Sequence, residues 1–226
     1  NTLISQNLAD KKVLVVWGGW DGHKPELFSN HVENWLIKEK ADYKIINGLD
    51  AYDNYDELIK YDLIIQSVTM DEISKEQEEN LVKAVLNGVG IAGAHGGLVD
   101  SFRKNTNYQF MIGGQFVAHP GGMIKHKVKI LDDELTIGLS DFDILSEQYY
   151  MHYDPSVKII AETKFGGEVY PWIKDVIMPV AWKKMYGKGK VFFISIGHDP
   201  DEFMVYKDGW ELLTRGFIWA VRKVKI

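Results

Sequence analysis

The sequence predicts a three-layer α/β fold, a mostly parallel central sheet with helices on both faces and antiparallel additions in the C-terminal half. Two observations carry this. In the first half, short β-branched runs alternate with segments of helical periodicity, which implies parallel strands joined by right-handed crossovers. In the second half, strand-like runs follow one another with few helices between them. At 226 residues the chain is long for one domain and short for two. No proline- or serine-rich linker divides it, so one domain over 1–226 is expected, with 1–11 as an N-terminal extension.

The elements follow in order. Lys12–Trp17 (KVLVVW) runs into Gly18-Gly19 and reads as a buried strand ending in a tight turn. Pro25 suits a first helical turn. Leu27, Phe28, His31, Val32, Trp35 and Leu36 then fall at helical spacing, so 25–40 is an amphipathic helix. Tyr43–Asn47 and Tyr61–Val68 are the next strands. Ser74 and Gln77 form a capping-box signature that opens a helix to about Leu86. Val89–Ala94 is the fourth strand. Ile124–Leu131, Ile144–Met151, Val157–Thr163, Pro179–Lys184 and Val191–Ser195 are strand-like, and Asp208–Arg222 is the last helix. Trp35, Trp210 and Trp219 are expected in the core.

Composition narrows the function classes. A net charge of −6 argues against a surface that tracks nucleic-acid phosphates. The basic run Lys125–Lys129 (KHKVK) alternates with apolar residues, as the solvent face of a strand would. The chain has no cysteine, which excludes disulfides, thiolate metal sites and thiol nucleophiles. No apolar run approaches the roughly 18 residues of a membrane span. The sequence begins at Asn1 rather than Met. The expected compartment is therefore cytoplasmic, or exported if a signal peptide preceded Asn1.

Ligands of open parallel sheets bind beyond the carboxyl ends of the strands. Polar features fall there: Trp20-Asp21-Gly22-His23, His95, Gly113-Gly114-Gln115-Phe116 with His119-Pro120, and Gly197-His198-Asp199. The turn Gly93-Ala94-His95-Gly96-Gly97 has the strand–turn–helix pattern of a nucleophile elbow, with an imidazole at its apex. Small flanking residues permit a strained backbone there. Imidazole can exchange protons near neutral pH or bind a metal. A structural histidine bonded to a nearby carbonyl fits the turn equally well.

These segments together resemble the ThuA-like (trehalose-utilisation) family: GIAGAHGG, GGQFVAHP, SEQYY, the stretch MPVAWKKMYGKGKVFFISIGHD (Met178–Asp199) and the ending RGFIWAV. The resemblance covers about residues 12–222. It implies a class I glutamine amidotransferase-like fold of flavodoxin-like topology. In that fold a nucleophilic cysteine normally occupies the elbow and a histidine follows a later strand. By position His95 resembles the first and His198 the second. Without cysteine, glutamine hydrolysis through a thioester is excluded. The fold analogy transfers the site's location and not its reaction.

The resemblance also implies a small-molecule carbohydrate ligand. Members found beside sugar dehydrogenases point to oxidised (keto) sugars. Trp20, Trp172 and Trp182 could stack on sugar rings, with core packing as the competing reading for Trp182. Alternate residues of Ile144–Met151 share a face, so Glu147 and Tyr149 should project together. The catalytic candidates are His95 and His198 as an acid–base pair and Glu147 as base or orienting group. His23, His119, Tyr149, Trp20 and Asp199 are the binding candidates. Such groups suit isomerisation, epimerisation or eliminative cleavage of a sugar next to a carbonyl. Alternatively, the histidines and Glu147 hold a divalent metal such as zinc in a hydrolase. A third reading is a non-catalytic sugar- or partner-binding domain. Neither nucleic acid nor membrane is an expected partner, and a homo-oligomer stays open.

Overall fold

The computed structural model describes residues 8–222. Its first strands and helices are β1 (Lys12–Gly19), α1 (Pro25–Glu39), β2 (Asp42–Asn47), α2 (Tyr55–Leu58), β3 (Leu63–Thr69), α3 (Lys75–Leu86), β4 (Gly90–Ala94), α4 (Gly96–Val99) and α5 (Thr106–Ile112). Then come β5 (Gly114–Ala118), β6 (Met123–Ile130), β7 (Phe142–Glu147), β8 (Tyr150–Tyr153), β9 (Lys158–Lys164), β10 (Ile177–Tyr186), β11 (Gly189–Ile194), α6 (Glu202–Val205) and α7 (Lys207–Ala220).

One sheet has the order β2-β1-β3-β4-β11-β10-β9-β6-β7. From β2 to β11 every pairing is parallel, and from β11 to β7 every pairing is antiparallel. The parallel strands alternate their side chains between two cores. Val13, Val15, Leu63, Ile65, Phe192 and Ile194 face α1 and α7, while Leu14, Val16, Ile64, Ile91, Val191 and Phe193 face α3 and α5. Burial on both faces explains why these strands read as continuous apolar runs rather than alternating ones. The predicted capping box is present: Ser74 Oγ accepts from Gln77 N and Gln77 Oε1 accepts from Ser74 N. Such caps contribute about 1 kcal/mol.

Several expectations need correction. The glycine-rich connection before His119 contains α5 and β5. Asn105 caps α5 through Tyr108 N, and Gly113, at φ 92°, ends it. Trp182 is wholly buried, with its indole N–H donated to the Ile112 carbonyl, so it offers no stacking face. Trp210 and Trp219 are half-buried at the margin of the core. The Lys183 and Lys190 ammonium groups lie 5.3 and 4.9 Å from the Trp219 ring centre, so lysine stems cover the ring that the core leaves open. Of the expected extension, 1–7 lie outside the described residues, whereas Leu8 is buried in the core.

The expected strand Ile144–Met151 is not one strand. Its first part, β7, pairs with β6, and its last part, β8, pairs with β5 in a separate two-stranded sheet. Chain segments 114–130 and 142–153 thus form one antiparallel arm, bent where the His119–Gly122 turn faces Gln148-Tyr149. Its base pairs with β9 at Lys129 and Ile130, and at the bend Gln148 donates to Thr163 Oγ1 of β9 at 2.7 Å. The bend turns the arm back over the ends of the parallel strands. In this way it carries Glu147, Tyr149 and His119 to His95 although β7 lies at the sheet's far edge.

Candidate active site

The site starts from the backbone of His95. This residue ends β4 and caps α4 at φ 52°, ψ −143°, a left-sided conformation that costs a non-glycine residue about 1–3 kcal/mol. Glycine neighbours make it possible. A Cβ on Gly96 would stand 2.6 Å from the His23 ring, and one on Gly97 would stand 2.8 Å from the Ser67 backbone. Behind the elbow, Gln66 donates to Ser101 Oγ and Tyr108 OH and accepts from Tyr52 OH, a buried network under α4.

The turn directs the His95 ring into a crowded centre. Nδ1 lies 2.6 Å from the Ser195 carbonyl and Nε2 lies 3.1 Å from Glu147 Oε2. Both partners are acceptors. Each contact is a hydrogen bond only where that ring nitrogen carries a hydrogen, so the tautomer decides which of the two is made. The same Glu147 Oε2 lies 3.3 Å from His198 Nδ1, and Glu147 Oε1 lies 3.6 Å from His119 Nε2. His198 Nδ1 is buried and points off line, so its approach to Glu147 is a close charge contact without a hydrogen bond. His23 completes the group, its Nδ1 3.1 Å from Thr69 Oγ1 and its ring 4.6 Å from that of His95 and 5.2 Å from that of His198. One donor atom from each of His23, His95, Glu147 and His198 lies within 4.8 Å of all the others.

The electrostatics separate these groups. Burial, then the neighbouring His95 and His198, push the His23 ring down to about 3, so it is neutral at pH 7. Burial would raise the Glu147 carboxyl, but His198 and His95 outweigh it and hold it below the ordinary carboxylate range. The Glu147 contact raises His198 against the opposing effect of burial. A fixed anion thus sits beside one imidazole that favours its proton and another that refuses one.

The other predicted residues surround this centre. The Tyr149 ring is buried and lies tilted against that of His95, the ring centres 4.1 Å apart. It is therefore a wall of the site rather than an open ligand contact. His119 and Trp20 are 45% and 47% exposed and form the rim, with the Trp20 ring 4.8 Å from His23. Asp199 is turned aside: its Oδ2 is 2.5 Å from Lys24 Nζ. Trp172 lies in a 3-10 turn at the surface (Pro171–Ile173), 77% exposed and stacked on Tyr170.

Sequence reasoning missed Glu202. This buried carboxylate accepts from Ser146 Oγ at 2.7 Å, from Gly197 N at 3.0 Å and from Asp199 N at 3.3 Å. It ties the strand end that carries Glu147 to the loop that carries His198. Its place at the start of α6 gave no sign of that role, since acids are common in first helical turns.

An open parallel sheet, an elbow at the end of β4 and a histidine after β11 define a protein of the glutamine amidotransferase-like α/β class. A glutamine amidotransferase from Thermotoga maritima superposes with a TM-score of 0.54 at 12% identity, over 89% of this chain and 84% of that one. The chain belongs to the ThuA family, described as trehalose utilisation, whose model matches residues 12–220. A ThuA-like protein from Bacteroides uniformis ATCC 8492 superposes over 100% of this chain and 97% of its own, with a TM-score of 0.78 at 18% identity. One from Parabacteroides merdae ATCC 43184 covers 96% and 93%, with a TM-score of 0.71 at 15% identity. No curated protein matches the sequence.

Proposed function

We propose that this protein acts on a carbohydrate, a keto-sugar or keto-disaccharide, by proton transfer at the His–Glu centre. Family membership supports the carbohydrate role. The observation that carries the chemistry is the position of one carboxylate oxygen, 3.1 Å from His95 Nε2 and 3.3 Å from His198 Nδ1. Glu147 orients and charges both imidazoles. His198, which favours its proton, protonates the ketone oxygen. A neighbouring base, His95 or Glu147, takes the proton from the adjacent carbon, and the C–H electrons form the enediol. Return of the proton to the neighbouring carbon isomerises the sugar. Return to the same carbon from the opposite face epimerises it. Departure of a glycosidic oxygen with its bonding electrons, protonated on leaving, completes an elimination. His23, His119 and Trp20 bind the ring, Tyr149 backs His95, and Asp199 holds the His198 loop through Lys24.

A specific observation favours a second reading, a divalent metal at the same centre. Four donor atoms within 4.8 Å, with a buried His198 Nδ1 that has no hydrogen-bond partner although it lies 3.3 Å from the carboxylate, fit three nitrogens and one oxygen around zinc. In that case His23, His95, Glu147 and His198 are the ligands, and the metal supplies Lewis acidity.

One experiment addresses both. Protein purified without added metal is assayed for bound metal, then incubated in D₂O with disaccharides and their keto forms, with products read by mass. The acid–base reading expects metal-free protein to put deuterium into the keto-sugar. Incorporation that requires about one zinc per chain supports the metal reading. Saturable sugar binding without deuterium uptake or product, with or without zinc, marks a binding module and contradicts both.

A further inference from the structure

A cavity of about 340 Å³ opens between the segments after β3 and after α4. Met70, Asp71 and Ile73 form one wall, and Phe102, Arg103 and Asn105 form the other. The His–Glu centre does not line it, and none of its residues has a part in the chemistry above.

The cavity is built rather than incidental. Two backbone hydrogen bonds join its walls, from Met70 N to the Asp100 carbonyl at 2.8 Å and from Asp71 N to the Ser101 carbonyl at 2.9 Å. They hold Met70 at φ 51°, a strained value for a side chain of its size. On the facing wall, Arg103 is half-exposed, but its Nε and Nη2 each donate at 2.7 Å to the two oxygens of buried Asp100. Gln115, from the glycine-rich motif the proton chemistry leaves unused, donates to the same Asp100 at 3.3 Å. The guanidinium is thus a fixed plane, with hydrogens left over that point away from Asp100.

Each wall is linked to the reacting centre through intervening residues. Met70 directly follows Thr69, the partner of His23. Arg103 lies 5.8 Å from the Phe116 ring centre, Phe116 packs 4.6 Å from Tyr149, and the Tyr149 ring centre is 4.1 Å from that of His95. Both cations of the cavity are paired, Arg103 with Asp100 and Lys104 with Glu72, and the Asp71 carboxylate is left over as a hydrogen-bond acceptor. A wall of carboxylates, a paired guanidinium and an amide, with no cation left over and interleaved with Met70, Ile73 and Phe102, suits an uncharged ligand that is polar at its edges and apolar on its faces. A phosphate would instead need uncancelled positive charge.

We propose that this cavity is a second sugar subsite, holding the ring of a disaccharide that does not react, with Arg103 as its specificity residue. The subsite rests on the carbohydrate reading of the neighbouring centre. Calorimetric titration with keto-trehalose and keto-glucose tests it on wild type, Arg103→Ala and Ile73→Trp. The second variant fills the cavity without unpairing Asp100. Wild type should bind the disaccharide about ten-fold more tightly than the monosaccharide, and both variants should lose that advantage while keeping monosaccharide affinity within about two-fold. If wild type binds keto-glucose without a disaccharide advantage, or if both variants retain the advantage, the subsite is wrong and the reading of the centre stands. Binding of neither sugar by wild type overturns both.

Discussion

Glu147→Gln is expected to cut turnover of the protein's sugar substrate by about 10²–10⁴-fold, the usual worth of positioned acid–base groups. The amide is nearly isosteric and can still accept a hydrogen bond, so the arm should remain in place. What disappears is the charge. Glu147 is the one carboxylate among the four converging donors, and it raises His198 while itself held ionised by the two rings. Without the anion, His198 no longer favours its proton, and the ketone oxygen loses its acid. Melting curves should show a stability loss of roughly 1–2 kcal/mol, in line with one weakened buried contact. Full turnover in this variant would remove Glu147 from the mechanism. Loss of turnover together with loss of the native circular dichroism spectrum would instead assign it to folding.

His95 should produce an equally large loss of turnover, with a distinctive stability order. Both His95→Ala and His95→Gly remove the imidazole and its contacts to Ser195 O and Glu147. Alanine keeps the strain at φ 52°, whereas glycine releases it. The released strain, about 1–3 kcal/mol, exceeds the roughly 0.4–1 kcal/mol by which glycine favours the unfolded chain. His95→Gly should therefore be more stable than His95→Ala by about 1 kcal/mol in denaturant titration, with both inactive. The reverse order would show that the elbow is not strained in solution.

The parallel half of the fold was legible because each signal was local. Lys12–Trp17 is apolar and β-branched through its length, and Ser74 and Gln77 announce a helix start without reference to anything distant. The site was legible for a related reason: His23, His95 and His198 each follow a strand of the parallel sheet, whose carboxyl ends share one edge. The bent arm was not legible. Ile144–Met151 carries no turn signal where the strand changes partners, and residues Ser146, Glu147 and Gln148 are all buried in succession. Consecutive buried polar residues are the physical trace of that bend, visible only once burial is known. Glu147 and Tyr149 do meet at His95, but through the bend and not through shared strand parity. Trp182 and Trp172 show the limit of residue type, since one is sealed in the core and the other exposed, and no local pattern separates them.

The account depends on three imidazoles and one carboxylate forming a single electrically coupled centre. Its most direct test is an NMR titration of the histidine rings in metal-free protein, with His23 and His198 assigned by substitution. The account predicts that they diverge from the ordinary imidazole value of about 6.5. His23 should stay neutral down to about 3, and His198 should keep its proton above 6.5 until Glu147→Gln removes the cause. If both rings titrate together near 6.5 in the wild-type protein, and the substitution moves neither, the groups do not share a centre.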